Sequence, residues 1–264
     1  MYNKYDLYNY RKIKLLENVE MKIFAEGHRG YCAKYPENTL ISFEAAIDLG
    51  VYCFEFDVHL SKDKVPVIMH DANAKRTCGV DRKLCDMTLE EIKTLEAAYT
   101  EKFGDEFVGK GLQVPTLREL CELVDRKRPH MPLGVEIKDY DEETVDATVA
   151  ILKEYGLFDN AWFYAFDAPT IKYLKTQYNA RTMGYPDFQM KRFDHEEGYR
   201  YYDEIGLGMN IVKSEVFPIF ASKGLPMHMY CADTEEDVRL CIEKGAALIT
   251  ANDPVPLISI LNNS

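Results

Sequence analysis

KIFAEGHRGYCAKYPENTLISFEAAIDLGVYCFEFDV, residues 22–58, decides the fold. It opens on a short β-forming run (22–27). It then places Leu40, Phe43, Ala46, Ile47 and Gly50 at the spacing of one helix face, and closes on a second β-rich run (51–58). That order is a βαβ unit, and it repeats along the chain. Further strand candidates lie at 132–138, 161–166, 180–185, 205–211, 225–231 and 246–250. Between them, DEETVDATVAILKEYG (141–156) starts acidic and ends on Lys153 and Gly156, and TEEDVRLCIEKG (234–245) has a Thr N-cap and a terminal Gly. Strand and helix alternating eight times predict an α/β fold, a (β/α)8 TIM barrel, with a doubly wound parallel sheet as the alternative.

Two regions interrupt the alternation. KVPVIMHD (64–71) reads as a short second strand reached through the turn SKDK, which makes 58–70 a hairpin-like excursion. Residues 72–115 form a small insertion before the helix TLRELCELVDRK, and connections of that length are usually functional. Residues 186–203 are a second irregular stretch, aromatic and charged. Residues 1–21 are expected to be an N-terminal extension, either an appended helix or an upstream segment before Met21, with the barrel domain at 22–264.

The chain has 264 residues, 47% hydrophobic and 29% charged, which fits a single barrel of about 250 residues. Forty-four acidic against thirty-two basic residues give a net charge of −12, so nucleic acid is not expected as a partner. The same excess argues against a phosphate-bearing ligand unless some of the acids hold a cation. Seven cysteines (32, 53, 78, 85, 121, 231 and 241) form no CxxC pair, as expected of reduced thiols in a cytoplasmic protein. No apolar run approaches the roughly 18 residues of a membrane span, and the first twenty residues lack the apolar region of a signal peptide.

In a parallel barrel, residues at the strand ends converge on one rim. GHRG places His28 and Arg29 there. Glu55 and Asp57, two apart on one strand, share a face, as do Glu136 and Lys138 on the next. Three inward carboxylates in an apolar barrel require compensating charge. Lys138 supplies part of it, and a divalent cation bound through oxygen would supply the rest. The alternative is that Glu55 and Asp57 face solvent on an edge strand. His70, followed by Asp71, ends the hairpin; with His28 it makes a pair suited to general acid and base work. Arg29 offers a planar fork for a phosphate oxygen. His59, His130, His195 and His228 receive no role.

The ordered set GHRG, PENT (36–39), FEFDV (54–58), MHD (69–71), RTCG (76–79), VPTL (114–117) and VEIK (135–138) resembles the glycerophosphodiester phosphodiesterase family. The resemblance is strong over 22–138 and weaker to about 260. It implies a (β/α)8 barrel that hydrolyses glycerophosphodiesters to glycerol 3-phosphate and an alcohol with a divalent cation, Mg2+ or Ca2+. It further implies His28 and His70 as the acid/base pair and Glu55, Asp57 and Glu136 as metal ligands. Arg29 and Lys138 would hold the phosphate, Phe166 and Tyr230 would contact the substrate, and Glu37 and Asn38 would brace the first loop. The second half departs from the family pattern. Ala165 stands where a serine usually precedes Phe166, YCAD (230–233) stands for WTVN, and the terminal TD pair reads Thr250 and Ala251. Three rivals remain: a lysophospholipase D-like phosphodiesterase, a Schiff-base aldolase using Lys138, and a non-catalytic ligand-binding barrel.

Overall fold

The computed structural model describes residues 10–14 and 20–263. The strands are β1 (Tyr10–Lys14), β2 (Glu20–Gly27), β3 (Cys53–Leu60), β4 (Pro66–Ile68), β5 (Leu133–Ile137), β6 (Ala161–Tyr164), β7 (Arg181–Gly184), β8 (Glu204–Gly208), β9 (Met227–Tyr230) and β10 (Leu248–Ala251). Eight of them, β2, β3 and β5 to β10, run parallel in the order β2-β3-β5-β6-β7-β8-β9-β10, and β10 pairs with β2 to close the barrel. The expected TIM barrel is therefore present, and the doubly wound alternative falls.

The helices are α1 (Leu40–Leu49), α2 (Lys75–Cys78), α3 (Leu89–Ile92), α4 (Thr100–Phe103), α5 (Leu117–Lys127), α6 (Glu142–Glu154), α7 (Ala168–Tyr178), α8 (Met209–Val212), α9 (Phe217–Ala221), α10 (Glu235–Glu243) and α11 (Pro254–Asn263). Their starts follow local chemistry. Thr39, Asp141, Asp167 and Thr234 each accept a backbone N–H of the first turn, and Thr116 with Glu119 forms a capping box. Gly50 ends α1 at φ 88°, a conformation that costs glycine little.

Both faces of β3 are buried along its whole length, so burial does not alternate along it. Its two faces do different work. Phe54 and Phe56 point outward against Phe43 of α1, with ring centroids 4.8 and 6.2 Å apart. Glu55 and Asp57 point inward. The edge-strand alternative for these two carboxylates is excluded by their burial, 4% and 0% exposed.

β4 pairs antiparallel with β3, as the hairpin reading required, and α2, α3 and α4 fill the insertion. Three sequence expectations need correction. Residues 10–14 are a strand antiparallel to β2, not a helix, while 1–9 and 15–19 lie outside the described residues. The strand expected at 205–211 stops at Gly208, where α8 begins. The polar group of the last segment sits at Asn252, one residue beyond the Thr250–Ala251 pair.

Candidate active site

The barrel register sets the carboxylates side by side. Asp57 of β3 lies opposite Glu136 of β5, and Glu55 lies opposite Gly134. One oxygen from each of Glu55, Asp57 and Glu136 falls within 4.8 Å of the others. Asp57 accepts from the Asn38 side chain at 2.7 Å and faces Lys138 Nζ at 3.0 Å. Lys138 Nζ also donates to Glu136 Oε1 at 2.6 Å. Glu55 Oε2 accepts the Arg29 backbone N–H at 3.0 Å, whereas Glu55 Oε1 is buried without a hydrogen-bond partner. A buried, unsatisfied carboxylate oxygen beside two other carboxylates is what a hard cation requires of a protein, so these residues fit a divalent ion.

The charges confirm the imbalance. Burial, with Asp57 and Glu136 nearby, pushes the Glu55 carboxyl well above its usual range, and burial also raises Glu136. Burial opposes ionisation of Asp57 as well, but Lys138 and Arg29 outweigh it and hold Asp57 well below the carboxylate range. The Lys138 ammonium is buried, yet Asp57 and Glu136 raise it, so it stays protonated. Lys138 is thus engaged as an ammonium by Asp57 and Glu136, the opposite of the free amine that a Schiff-base role needs.

The first loop after β2 carries His28 and Arg29 through a tight turn. Gly30 at φ 83° abuts α1 so closely that a Cβ there would lie 2.5 Å from Ser42 Oγ. His28 Nδ1 lies 2.6 Å from the Asn252 side-chain oxygen. The Asn252 amide nitrogen donates to Asp233 at 2.7 Å, which fixes the amide orientation. The oxygen therefore faces His28, Nδ1 carries the proton, and Nε2 is free at 3.9 Å from Glu55 Oε2. Burial, with Arg29 adjacent, pushes the His28 pKa down to about 4, so the ring is neutral near pH 7.

His70 follows β4 and is a third exposed. Its Nδ1 donates to Asp71 Oδ1 at 2.7 Å, leaving Nε2 toward the cavity. The cavity is about 300 Å3 and is bordered by His28, Arg29, Glu55, His70, Glu136, Lys138, Phe166 and Tyr230. Asp57 stands directly behind this wall. Every residue singled out in the sequence thus converges at one mouth of the barrel.

Sequence reasoning missed four features. Tyr185 stacks on Phe166 with centroids 3.5 Å apart and meets Tyr230 edge-on at 5.7 Å, completing an aromatic wall. The cavity floor is polar: Tyr164 donates to Glu26 at 2.9 Å, Thr250 donates to Glu26 at 2.7 Å, and His228 pairs with Glu204. Gly134 makes room for this floor, since a Cβ there would lie 2.5 Å from Glu26 Oε1. His59 has a bracing role, linking Asp139 after β5 to the His70 carbonyl at 2.5 and 3.2 Å. Shared strand parity, Glu26 with His28 and His228 with Tyr230, was the available signal for the floor; nothing local marked Asn252.

One mouth of the barrel thus gathers three carboxylates, two imidazoles, an arginine and a lysine around a single cavity. A model of the glycerophosphoryl diester phosphodiesterase family matches residues 28–255, and the chain belongs to that family. A glycerophosphodiester phosphodiesterase from Caldanaerobacter subterraneus subsp. tengcongensis is 28% identical over 256 residues, covering 91% of this chain and 98% of that one. Two solved structures share the fold. A putative glycerophosphoryl diester phosphodiesterase from Silicibacter pomeroyi has a TM-score of 0.78 at 24% identity, covering 91% of this chain and 93% of that one. An Oleispira antarctica phosphodiesterase in complex with the product sn-glycerol-3-phosphate has a TM-score of 0.77 at 24% identity, covering 91% and 97%. The non-catalytic alternative thereby gives way to an enzyme of the phosphodiesterase class. Among the described residues no helix is long and apolar enough to cross a membrane.

Proposed function

We propose that this protein hydrolyses glycerophosphodiesters to sn-glycerol 3-phosphate and an alcohol, with Glu55, Asp57 and Glu136 holding Mg2+ or Ca2+ and His28 and His70 as the acid/base pair. The observation that carries the reading is the partnerless Glu55 Oε1 in a buried triad flanked by two histidines whose Nδ1 protons are each held by a side-chain oxygen. A cation bound there neutralises the carboxylates and draws charge from the phosphoryl group. Neutral His28 accepts at Nε2 the proton of the attacking oxygen, either that of water or that of the glycerol 2-hydroxyl, in which case a water then opens the cyclic phosphate to give glycerol 3-phosphate. His70, oriented by Asp71 at Nδ1, donates from Nε2 to the departing alkoxide. Arg29 and Lys138 stabilise charge that develops on the phosphoryl oxygens, and Phe166 and Tyr230 pack against the organic part of the substrate.

The cysteines are all unpaired, which supports a cytoplasmic setting. A lysophospholipase D-like activity is the second reading. It is favoured by the aromatic wall of Phe166, Tyr185 and Tyr230, which would suit an acyl chain. Release of glycerol 3-phosphate from choline, ethanolamine, glycerol and inositol diesters, run beside lysophosphatidylcholine, separates the two. Turnover of the short diesters supports the first reading, and turnover confined to the acylated substrate replaces it with the second.

A further inference from the structure

Arg29 borders the cavity and Arg76 stands behind it, against Asp71 and Glu37, and the hydrogen bonding of the two arginines differs. The Arg29 side chain donates one hydrogen bond, to Glu37 at 2.9 Å, and its Nε has no hydrogen-bond partner. It retains donors for a ligand oxygen. Arg76 of α2 retains none. Its Nε donates to Asp71 Oδ2 at 2.7 Å, and one terminal nitrogen donates to Asp71 Oδ1 at 3.1 Å and Glu37 Oε1 at 2.7 Å. The other donates to Glu37 Oε2 at 2.9 Å and to the Tyr99 hydroxyl at 2.8 Å. A guanidinium has five N–H donors, and here all five meet protein acceptors.

The two carboxylates that Arg76 bridges stand behind the two groups that would meet substrate. Asp71 accepts from His70 Nδ1, and Glu37 accepts from Arg29. Asp71 is itself a third exposed, on a loop, and besides its contact with His70 it is held by the two-pronged contact from Arg76. We propose that Arg76 is a positioning residue: through Asp71 and Glu37 it fixes His70 and Arg29 in one mutual arrangement, making the 72–115 insertion part of the catalytic apparatus. The inference rests on the roles given above to His70 and Arg29. Tyr99, immediately before α4 in the same insertion, also holds the guanidinium, with its ring centroid 5.0 Å away. Lysine cannot replace Arg76, because a point charge lacks the planar fork.

The test compares glycerophosphocholine, whose alkoxide leaving group needs a proton, with a glycerophospho-p-nitrophenyl diester, whose leaving group does not. Arg76→Lys, Asp71→Asn, the double variant and His70→Ala are measured on both, with thermal melting as the fold control. Arg76→Lys is expected to lower kcat on the choline diester about 10- to 100-fold, as loss of an orienting partner does, and to lower it clearly less on the aryl diester, where only the share carried through Arg29 is felt. The double variant is expected to be no slower than the worse single variant. Equal losses on both esters in Arg76→Lys, while His70→Ala retains the difference between them, would overturn the inference, as would additive losses in the double variant. If His70→Ala itself affects both esters equally, the acid role of His70 fails, and the coupling between Arg76 and Asp71 alone decides the inference. Should Arg76→Lys not fold, Asp71→Asn and Tyr99→Phe supply the same ratio.

Discussion

His28 Nδ1 and the Asn252 side-chain oxygen lie 2.6 Å apart, joining the first loop of the barrel to the last across 224 residues. This contact selects the ring tautomer. Asn252→Leu keeps the volume and removes the acceptor, so Nδ1 loses its reason to hold the proton. The expected result is a drop in kcat of about 10- to 100-fold, with cation affinity unchanged within a few-fold, measured by steady-state kinetics and calorimetry.

The depressed pKa of His28 has a definite sign in stability. The unfolded chain takes up this proton near pH 6.5, and the folded ring only near 4. Folding is therefore favoured fully above about pH 6.5, and this contribution is lost as the pH falls toward 4. Melting curves across that window should show a decline that His28→Asn reduces.

The raised Glu55 carboxyl predicts that cation binding competes with a proton. Apparent affinity for Ca2+ or Mg2+ should rise with pH, and calorimetry in buffers of different ionisation enthalpy should detect proton release. Glu55→Gln should weaken binding about 10-fold or more and reduce that release, the remainder coming from Glu136.

Leu120 of α5 is fully buried in the layer between the barrel and its helices. Leu120→Ala should destabilise the protein by about 2–5 kcal/mol in denaturant unfolding while leaving kcat of the folded fraction unchanged.

The barrel was legible because its determinants are local: the apolar face of residues 40–50, the β-rich run 51–58 and the cap at Thr234 all act within a few residues of their own position. The first half of the site was legible for a related reason. Glu55 and Asp57, or Glu136 and Lys138, are neighbours on one face of one strand, so spacing alone pairs them. Asn252, Tyr185 and the Glu26 floor were not, because their meaning arises only on closure, when β10 pairs with β2 and brings the chain's end to its first histidine. The N-terminal strand was missed for the same reason, since its pairing with β2 leaves no periodic helix signal to contradict.

The central claim is that the carboxylate triad and the histidine pair together hydrolyse a glycerophosphodiester only with a cation in place. Hydrolysis of glycerophosphocholine by EDTA-stripped protein, followed by 31P NMR before and after adding back Ca2+ or Mg2+, tests it most directly. The account predicts that the diester resonance is unchanged in EDTA and converts to that of glycerol 3-phosphate once the cation is restored. Undiminished turnover in EDTA, or none with any divalent cation, would contradict it.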